Sequence, residues 1–318
     1  MPLRDAVSWT VMISGLVQNE LFSEAFELFK EMQISGVTPL SSIYSTLLSV
    51  SGALASLELG LQFHCIVHKS CFSSDPVINN SLVSMYAKCG DINGAASIFN
   101  SMMIRDVISW NSMILGFAHH GLSGRALELF ESMKSNGIKP TSVTFLGLLT
   151  ACSHSGLTDR GWELFNSMNK IYSIRPDMEH YICMIDLLGR AGRISEAEQF
   201  VLGLPFEPGH AIWGALLGMC SIGVKDVVIA RRVAKRVLQL EPLNAPAHIL
   251  LRNIYVANGE HRKEELLSVT MRMKGLRKSP GCSWIRLKGA VHVFLSGDGS
   301  HPQSNEVLCV LRRLMIHD

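Results

Sequence analysis

The chain has 318 residues and a formal net charge of +2. Its length suggests about two ordinary domains, and its 47% apolar and 18% charged residues exclude a disordered acidic or basic tail protein. No apolar run approaches the ~20 residues of a membrane-spanning helix; the longest candidate, Ile212 to Val224, is too short and carries Ser221. The cysteines (Cys65, Cys71, Cys89, Cys152, Cys183, Cys220, Cys282 and Cys309) share no C-x-x-C spacing. That disfavours a zinc ribbon or a disulfide-stapled secreted fold and fits small buried residues in a reducing compartment.

From the N-terminus, Trp9, Met12, Ile13 and Leu16 recur at helical spacing, which predicts a first helix. A polar break follows at Gln18-Asn19-Glu20. A second helix is expected from Ser23 as N-cap, with Ala25, Leu28, Phe29 and Met32 as its apolar stripe. Gly36 stops it and Pro39 prevents its continuation. The same hairpin returns 101 residues later: residues 6–40 and 107–141 share 13 identities in 35 positions, among them Trp9/Trp110, Gly15/Gly116, Ala25/Ala126 and Pro39/Pro140. The cycle divides into units of 35, 35 and 31 residues (6–40, 41–75, 76–106), then 35, 36 and 32 (107–141, 142–177, 178–209). The short members pair at an offset of 102, as in Gly90/Gly192 and Ala95/Ala197. A two-helix unit of this size cannot bury its apolar face alone, so neighbours must stack into a solenoid with the first helices forming the natural binding surface.

Charge is uneven along this array. Residues 1–106 carry 5 basic and 9 acidic side chains, 107–209 carry 8 and 10, and 210–318 carry 16 and 8. A broad basic face is therefore not the main source of any nucleic-acid affinity in the first two-thirds. Near the C-terminus, Trp284-Ile285-Arg286-Leu287 and Val291-His292-Val293-Phe294, parted by Lys288-Gly289-Ala290, predict a small β-hairpin.

The lines Val7-Ser8-Trp9-Thr10, Ser109-Trp110-Asn111, Met85-Tyr86-Ala87-Lys88-Cys89-Gly90 and Asp186-Leu187-Leu188-Gly189-Arg190-Ala191-Gly192 resemble the pentatricopeptide repeat proteins of plant organelles. The order of ordinary, long and short units resembles the subclass that guides RNA editing. Residues 210–275 resemble its tetratricopeptide-like extension motifs, through Ile212-Trp213-Gly214-Ala215-Leu216-Leu217 and Leu240-Glu241-Pro242-Leu243-Asn244. In the basic segment 276–318, Pro280-Gly281-Cys282-Ser283-Trp284-Ile285 is similar to the family's proline-glycine box, and His301-Pro302-Gln303-Ser304 to the segment after it. The implied fold is all-α: a right-handed α-solenoid of helical hairpins carrying the small β-hairpin. A tetratricopeptide array, which binds peptides, is the competing reading; the alternating period disfavours it for 6–209, whereas 227–274 lie closer to it.

The resemblance implies that the fifth and last residues of a unit together read one base of an unpaired RNA. The pairs are Thr10/Leu40, Ser45/Asp75, Asn80/Asp106, Asn111/Thr141, Leu146/Asp177 and Ile182/Gly209. Asn80/Asp106 resembles a uracil reader, because an amide both donates and accepts while a carboxylate fixes its orientation. Asn111/Thr141 resembles a pyrimidine reader and Ser45/Asp75 has purine-reader chemistry. Leu146 and Ile182 lack a polar group, and Leu40 departs from the usual acid or amide. Each Asn or Asp also has an ordinary use in helix capping or turns. The second residues Val7, Val77 and Ile108 are placed to sandwich bases. Among the thirteenth residues Gln18, Ala53, Lys88, His119, His154 and Arg190, the cations Lys88 and Arg190 are placed to meet phosphates.

Many relatives end in a zinc-dependent cytidine deaminase, which needs a His-x-Glu element and a distal Cys-x-x-Cys. Neither occurs here, so the expectation is no catalytic centre, metal or cofactor. The implied function is a site-recognition factor for C-to-U editing. It would bind single-stranded organellar RNA and recruit a deaminase-bearing repeat protein or editing factor in trans. The alternatives are an RNA stabilisation or processing factor and a peptide-binding scaffold. Met1-Pro2-Leu3-Arg4-Asp5 resembles the end of a short repeat with no Arg/Ser-rich leader before it, so the sequence reads as starting inside an array. The family resemblance implies mitochondrion or chloroplast.

Overall fold

The computed structural model describes residues 5–221, 227–276, 281–287, 290–296 and 299–314. Residues 1–4 of the expected truncated repeat and Pro280 of the proline-glycine box lie outside the described residues. Two compact units are present, Met1–Ile229 and Ala230–Asp318.

The first unit is a series of antiparallel helical hairpins: α1 (Ala6–Gln18) with α2 (Phe22–Ile34), α3 (Ser41–Ala53) with α4 (Leu57–His68), α5 (Pro76–Lys88) with α6 (Ile92–Ser101), α7 (Val107–His119) with α8 (Ser123–Ser135), α9 (Ser142–Ser155) with α10 (Thr158–Lys170), and α11 (Met178–Arg190) with α12 (Ile194–Leu202). The helix α13 (His210–Ser221) follows α12 and packs on α11. Each first helix packs against the first helices before and after it, and from α4 to α12 each second helix also touches the next first helix. This is the stacking of an α-solenoid, in which an apolar stripe that one hairpin cannot bury is covered by its neighbours. A continuous core runs from Trp9 to Leu187. Aromatic rings tie it together: between hairpins Phe99 meets Trp110 edge to face at 5.2 Å and Phe130 lies 5.9 Å from Phe145, and within the unit 142–177 Tyr172 lies 5.1 Å from Phe145.

The differences in unit length reside in the second helices. The first helices span 13 residues, or 14 in α9, whereas α6 and α12 span 10 and 9 against 13 for α2 and α8. The additional residue of 142–177 over 41–75 lies in α10, which has 13 residues against 12 in α4. Length therefore varies mainly on the second-helix side, while the stacked first helices differ by at most one residue.

The hairpin turn explains where the second helices begin. After α1 the chain closes with a left-handed residue, Glu20 (φ 60°): its N–H bonds to Val17 O at 3.0 Å, and Leu21 N–H reaches back to Leu16 O at 3.0 Å. This paired closure is a Schellman motif. It sets Leu21 at the start of α2, with no side-chain cap, and leaves Ser23 inside the first turn rather than at the N-cap. The sequence expectation for Ser23 fails because the closure puts the N-cap two residues earlier, at Leu21, whose side chain cannot accept a hydrogen bond; Asp91 at the equivalent place does cap α6 through Gly94 N–H. Gly90, Gly121, Gly156 and Gly192 occupy the left-handed position in later hairpins, whereas Ala55 holds it at φ 48°. A Cβ is disfavoured there. Ala55→Gly is therefore expected to raise stability by about 1 kcal/mol, seen as a higher urea midpoint at unchanged slope.

In the second unit, α15 (Ala245–Ala257) pairs with α16 (His261–Met273). Asn244 caps α15 through Ala247 N–H at 2.9 Å. Arg231, on α14 (Val227–Leu240), bonds to Glu260 and lies over the Tyr255 ring. The antiparallel strands β1 (Cys282–Leu287) and β2 (Ala290–Leu295) pair Trp284 with Val293 and Leu287 with Ala290, and α17 (Ser304–Leu314) follows. Ala290 thus belongs to β2 and not to the connection in which the sequence pattern placed it. The register leaves two residues between the strands, the favoured hairpin spacing; Lys288 and Gly289 lie outside the described residues. Among the described residues there are seventeen helices and this one two-stranded sheet. No helix among them is long and apolar enough to cross a membrane, and no cluster of three metal-ligating side chains occurs among them.

Candidate nucleic-acid interface

The last residue of one unit is the N-cap of the next first helix. Asp75 caps α5 through Val77 N–H, Asp106 caps α7 through Ser109 N–H, and Asp177 caps α11 through Glu179 and His180 N–H. Such caps satisfy backbone donors that a helix start leaves open. The fifth residue lies one turn into the preceding first helix. Because adjacent first helices pack side by side, a fifth residue and the following cap can meet.

They meet in two places. Asn80 Nδ2 donates to Asp106 Oδ1 at 3.2 Å, and Asn111 Nδ2 donates to Thr141 Oγ1 at 3.1 Å. The expected helix-capping use of Asp106 also holds, so one carboxylate oxygen serves two helices at once. It accepts from the Ser109 N–H and hydroxyl, both at 2.9 Å, as well as from Asn80. Burial pushes the Asp106 carboxyl up, but hydrogen bonds from Ser109, Asn80 and Ile108 outweigh it and hold the group below its ordinary value. Asp177 behaves likewise: burial opposes ionisation and the bonds and charge of His180 outweigh it.

Asn80 is only 7% exposed, and its Oδ1 is buried without a hydrogen-bond partner. The Asp106 carboxylate needs a donor, so the amide is turned with its nitrogen toward Asp106 and its oxygen left over. A buried acceptor without a partner is costly, and natural folds keep few of them.

The remaining pairs are not joined. Thr10 Oγ1 donates back to Ala6 O at 2.7 Å, and Leu40 caps α3 with no side-chain bond. Ser45 Oγ is buried without a partner, while Asp75 turns to Val77 N–H at 2.8 Å. Leu146 and Ile182 are half-buried and apolar, Asp177 is engaged with His180 at 2.6 Å, and Gly209 has no side chain to offer.

Val7, Val77 and Ile108 stand 59%, 61% and 57% exposed despite being apolar, so all three second residues face outward. Lys88 is exposed, whereas Arg190 is held by Asp186 at 2.8 Å. The His119 imidazole is held below its ordinary value, first by burial and then by the neighbouring charges of His154, His120 and Lys88. Lys88, His119 and His154 lie in the last turns of consecutive first helices, and His154 Nδ1 lies 3.0 Å from Ala118 O, beside His119.

Ser109, Thr144 and His180 were missed by sequence reasoning. Each is buried and sits three residues after a cap, where its side chain bonds back to the cap residue. The signal was present as Asp-x-x-Ser, Thr-x-x-Thr and Asp-x-x-His, the spacing of a capping box.

Because the Asp106 and Asp177 carboxyls sit below their ordinary values, the stability they contribute is complete above the unfolded-chain value of about 3.9 and is lost as pH falls through the folded values. A urea-midpoint series from pH 7 to pH 3 is expected to show the gap between the parent and Asp106→Asn closing on the acid side.

Stacked hairpins that bring the fifth residue of one first helix against the N-cap of the next define a helical-repeat array. Residues 105–154 match the PPR repeat family, residues 7–37, 80–107, 143–171 and 179–202 match the PPR repeat, and residues 224–286 match the E motif. The chain carries pentatricopeptide repeats followed by an E motif. It is 43% identical over 311 residues to a mitochondrial pentatricopeptide repeat-containing protein of Arabidopsis thaliana, covering 98% of this chain and 49% of the relative. A chloroplastic one from the same plant is 41% identical over 314 residues, covering 99% of this chain and 39% of the relative. The chain thus spans less than half the length of these relatives. In structure it is similar to the pentatricopeptide repeat protein PPR10 of maize, solved in complex with an 18-nt psaJ RNA element, with a TM-score of 0.56 and 18% identity over 83% of this chain and 44% of that one. At that identity the likeness is one of fold.

Proposed function

We propose that the chain binds single-stranded RNA in a plant organelle through six repeats, 6–40, 41–75, 76–106, 107–141, 142–177 and 178–209, and that it is not itself an enzyme. The reading rests on Asn80: a buried amide pinned by a capping carboxylate, with its oxygen left unpartnered in a repeat array. A uracil edge offers the N–H that this oxygen lacks and a carbonyl for the remaining Nδ2 hydrogen. Val7, Val77 and Ile108 give the array apolar surface for stacking, and Lys88 a cation for a phosphate.

Within this reading the chain acts as a site-recognition factor for C-to-U editing, supplying the address while a deaminase in trans supplies the chemistry. The mitochondrial and chloroplastic relatives support an organellar setting, and the E motif at 224–286 corresponds to the extension through which the sequence resembles the editing subclass. The second unit, with its basic helices and a hairpin exposing Trp284 and Val293, is the part we assign to the partner.

Gel shift of the full chain is expected to retain a uracil-containing single strand over an oligoadenosine of equal length. Equal retention of both would overturn base reading. Sequencing organellar transcripts after loss of the gene is expected to show at least one C-to-U site reverting to C; an unchanged set would remove the editing role and leave stabilisation or processing.

A further inference from the structure

The two clasps differ in where one hydroxyl proton goes. In both, the hydroxyl three residues after the cap accepts from the cap's own N–H: Asp106 N to Ser109 Oγ at 3.2 Å, and Thr141 N to Thr144 Oγ1 at 2.9 Å. The hydroxyl must then donate elsewhere. Ser109 donates to the Asp106 carboxylate at 2.9 Å, because an ionised oxygen is a stronger acceptor than a neutral amide. Thr144 has no carboxylate in reach: the cap is Thr141, whose hydroxyl is 3.4 Å away, and Thr144 donates to Asn111 Oδ1 at 2.6 Å. Asn80 therefore keeps an unpartnered oxygen, while the oxygen of Asn111, 8% exposed, is already engaged.

We propose that Thr144 is a specificity-determining residue for the nucleotide read by Asn111, acting by holding the amide oxygen and leaving that site to present donors. The inference rests on the RNA-reading function proposed above and adds to it a third residue, on the following helix, that contacts no base itself. The Asn80 site offers one Nδ2 hydrogen and one acceptor. The Asn111 site offers one Nδ2 hydrogen and no free acceptor; its second donor is the Thr141 hydroxyl, whose hydrogen is otherwise directed only at Thr144 Oγ1 across a long 3.4 Å contact. Uracil presents an N3–H donor beside its carbonyls and matches the first arrangement. Cytosine presents N3 and O2, adjacent acceptors, and matches the second; uracil there would leave its N3–H facing donors. Cap identity thus sets the direction of one buried hydrogen bond, and that direction sets base preference.

The test uses the full chain and anisotropy titrations with two sets of single-stranded RNAs: one keeps uracil opposite Asn80 and exchanges cytosine and uracil at the nucleotide opposite Asn111, the other replaces the uracil opposite Asn80 by adenine. The parent is expected to favour cytosine opposite Asn111 by about tenfold. Thr144→Val and Thr144→Ala are expected to lower that ratio by about tenfold, to near parity. Thr144→Ser, which keeps the hydroxyl, is expected to retain it. The uracil preference opposite Asn80 should stay constant throughout and reports on an intact array. An unmoved ratio in both hydroxyl-less variants, with the Asn80 preference intact, overturns the role of Thr144 alone. Parallel loss of binding to every RNA in those variants also overturns it, assigning Thr144 to the fold. Absence of a uracil preference opposite Asn80 in the parent overturns the RNA reading itself, and this inference with it.

Discussion

Asn80→Ala is expected to erase the preference for uracil at one nucleotide and to weaken binding about ten- to a hundredfold, with little change in melting temperature. The size follows from what would be removed under the function proposed above: a paired donor and acceptor presented to a base edge away from bulk water. The small effect on stability follows from the same geometry. Asn80 Oδ1 has no partner in the folded chain, so its removal abolishes a desolvation cost while one bond to Asp106 is lost, and the two nearly cancel. Asp106→Ala separates the roles. It removes the same reading partner but also uncaps α7, at about 1–2 kcal/mol. An equal preference for uracil over adenine in the parent and in Asn80→Ala, measured by anisotropy, would exclude Asn80 from base contact.

Trp110→Ala is expected to cost about 3–5 kcal/mol, enough to melt the centre of the array under mild conditions. Trp110 is almost fully buried in α7, against Phe99 of the preceding hairpin, so the cavity opens at a junction between hairpins. In a stacked array, loss at one junction separates the two sides, and the transition should broaden as well as shift. Trp110→Phe is expected to cost much less. The indole N–H of Trp110 is buried without a partner, so the smaller ring gives up area but also removes an unsatisfied donor. Differential scanning calorimetry of both variants checks this, with a single sharp transition in Trp110→Ala as the outcome that contradicts it.

The helical-repeat fold was legible because each hairpin repeats a stripe such as Trp9, Ile13, Ala25, Phe29 and Met32, all buried in the structure, and because the same residues return 101 positions on. Local turn chemistry was less legible. Ser23 has the composition of a cap, but the Schellman closure at Glu20 and Leu21 starts the helix before it. The thirteenth-residue cation Arg190 is legible as charge, yet Asp186, four residues earlier on the same helix, neutralises it at the usual i, i+4 spacing. The contact from Thr144 to Asn111, 33 residues apart, was not legible at all. It exists only because two first helices pack side by side, and nothing in a linear pattern states which of two acceptors a buried hydroxyl will choose. Ser45 and Asp75 show the converse: they occupy corresponding positions, but Asp75 satisfies its own helix start instead of reaching across.

Among the described residues, the main packing of the first unit's helices is within a hairpin or between hairpins adjacent in the chain. A nascent polypeptide can therefore bury its apolar stripe as soon as two consecutive hairpins have left the ribosome, with no wait for a distant segment. By the same logic, excising one whole hairpin such as 107–141 joins like surfaces to like. The shortened array should still fold, and under the function proposed above its footprint on RNA would contract by one nucleotide, a change of address through loss of a module.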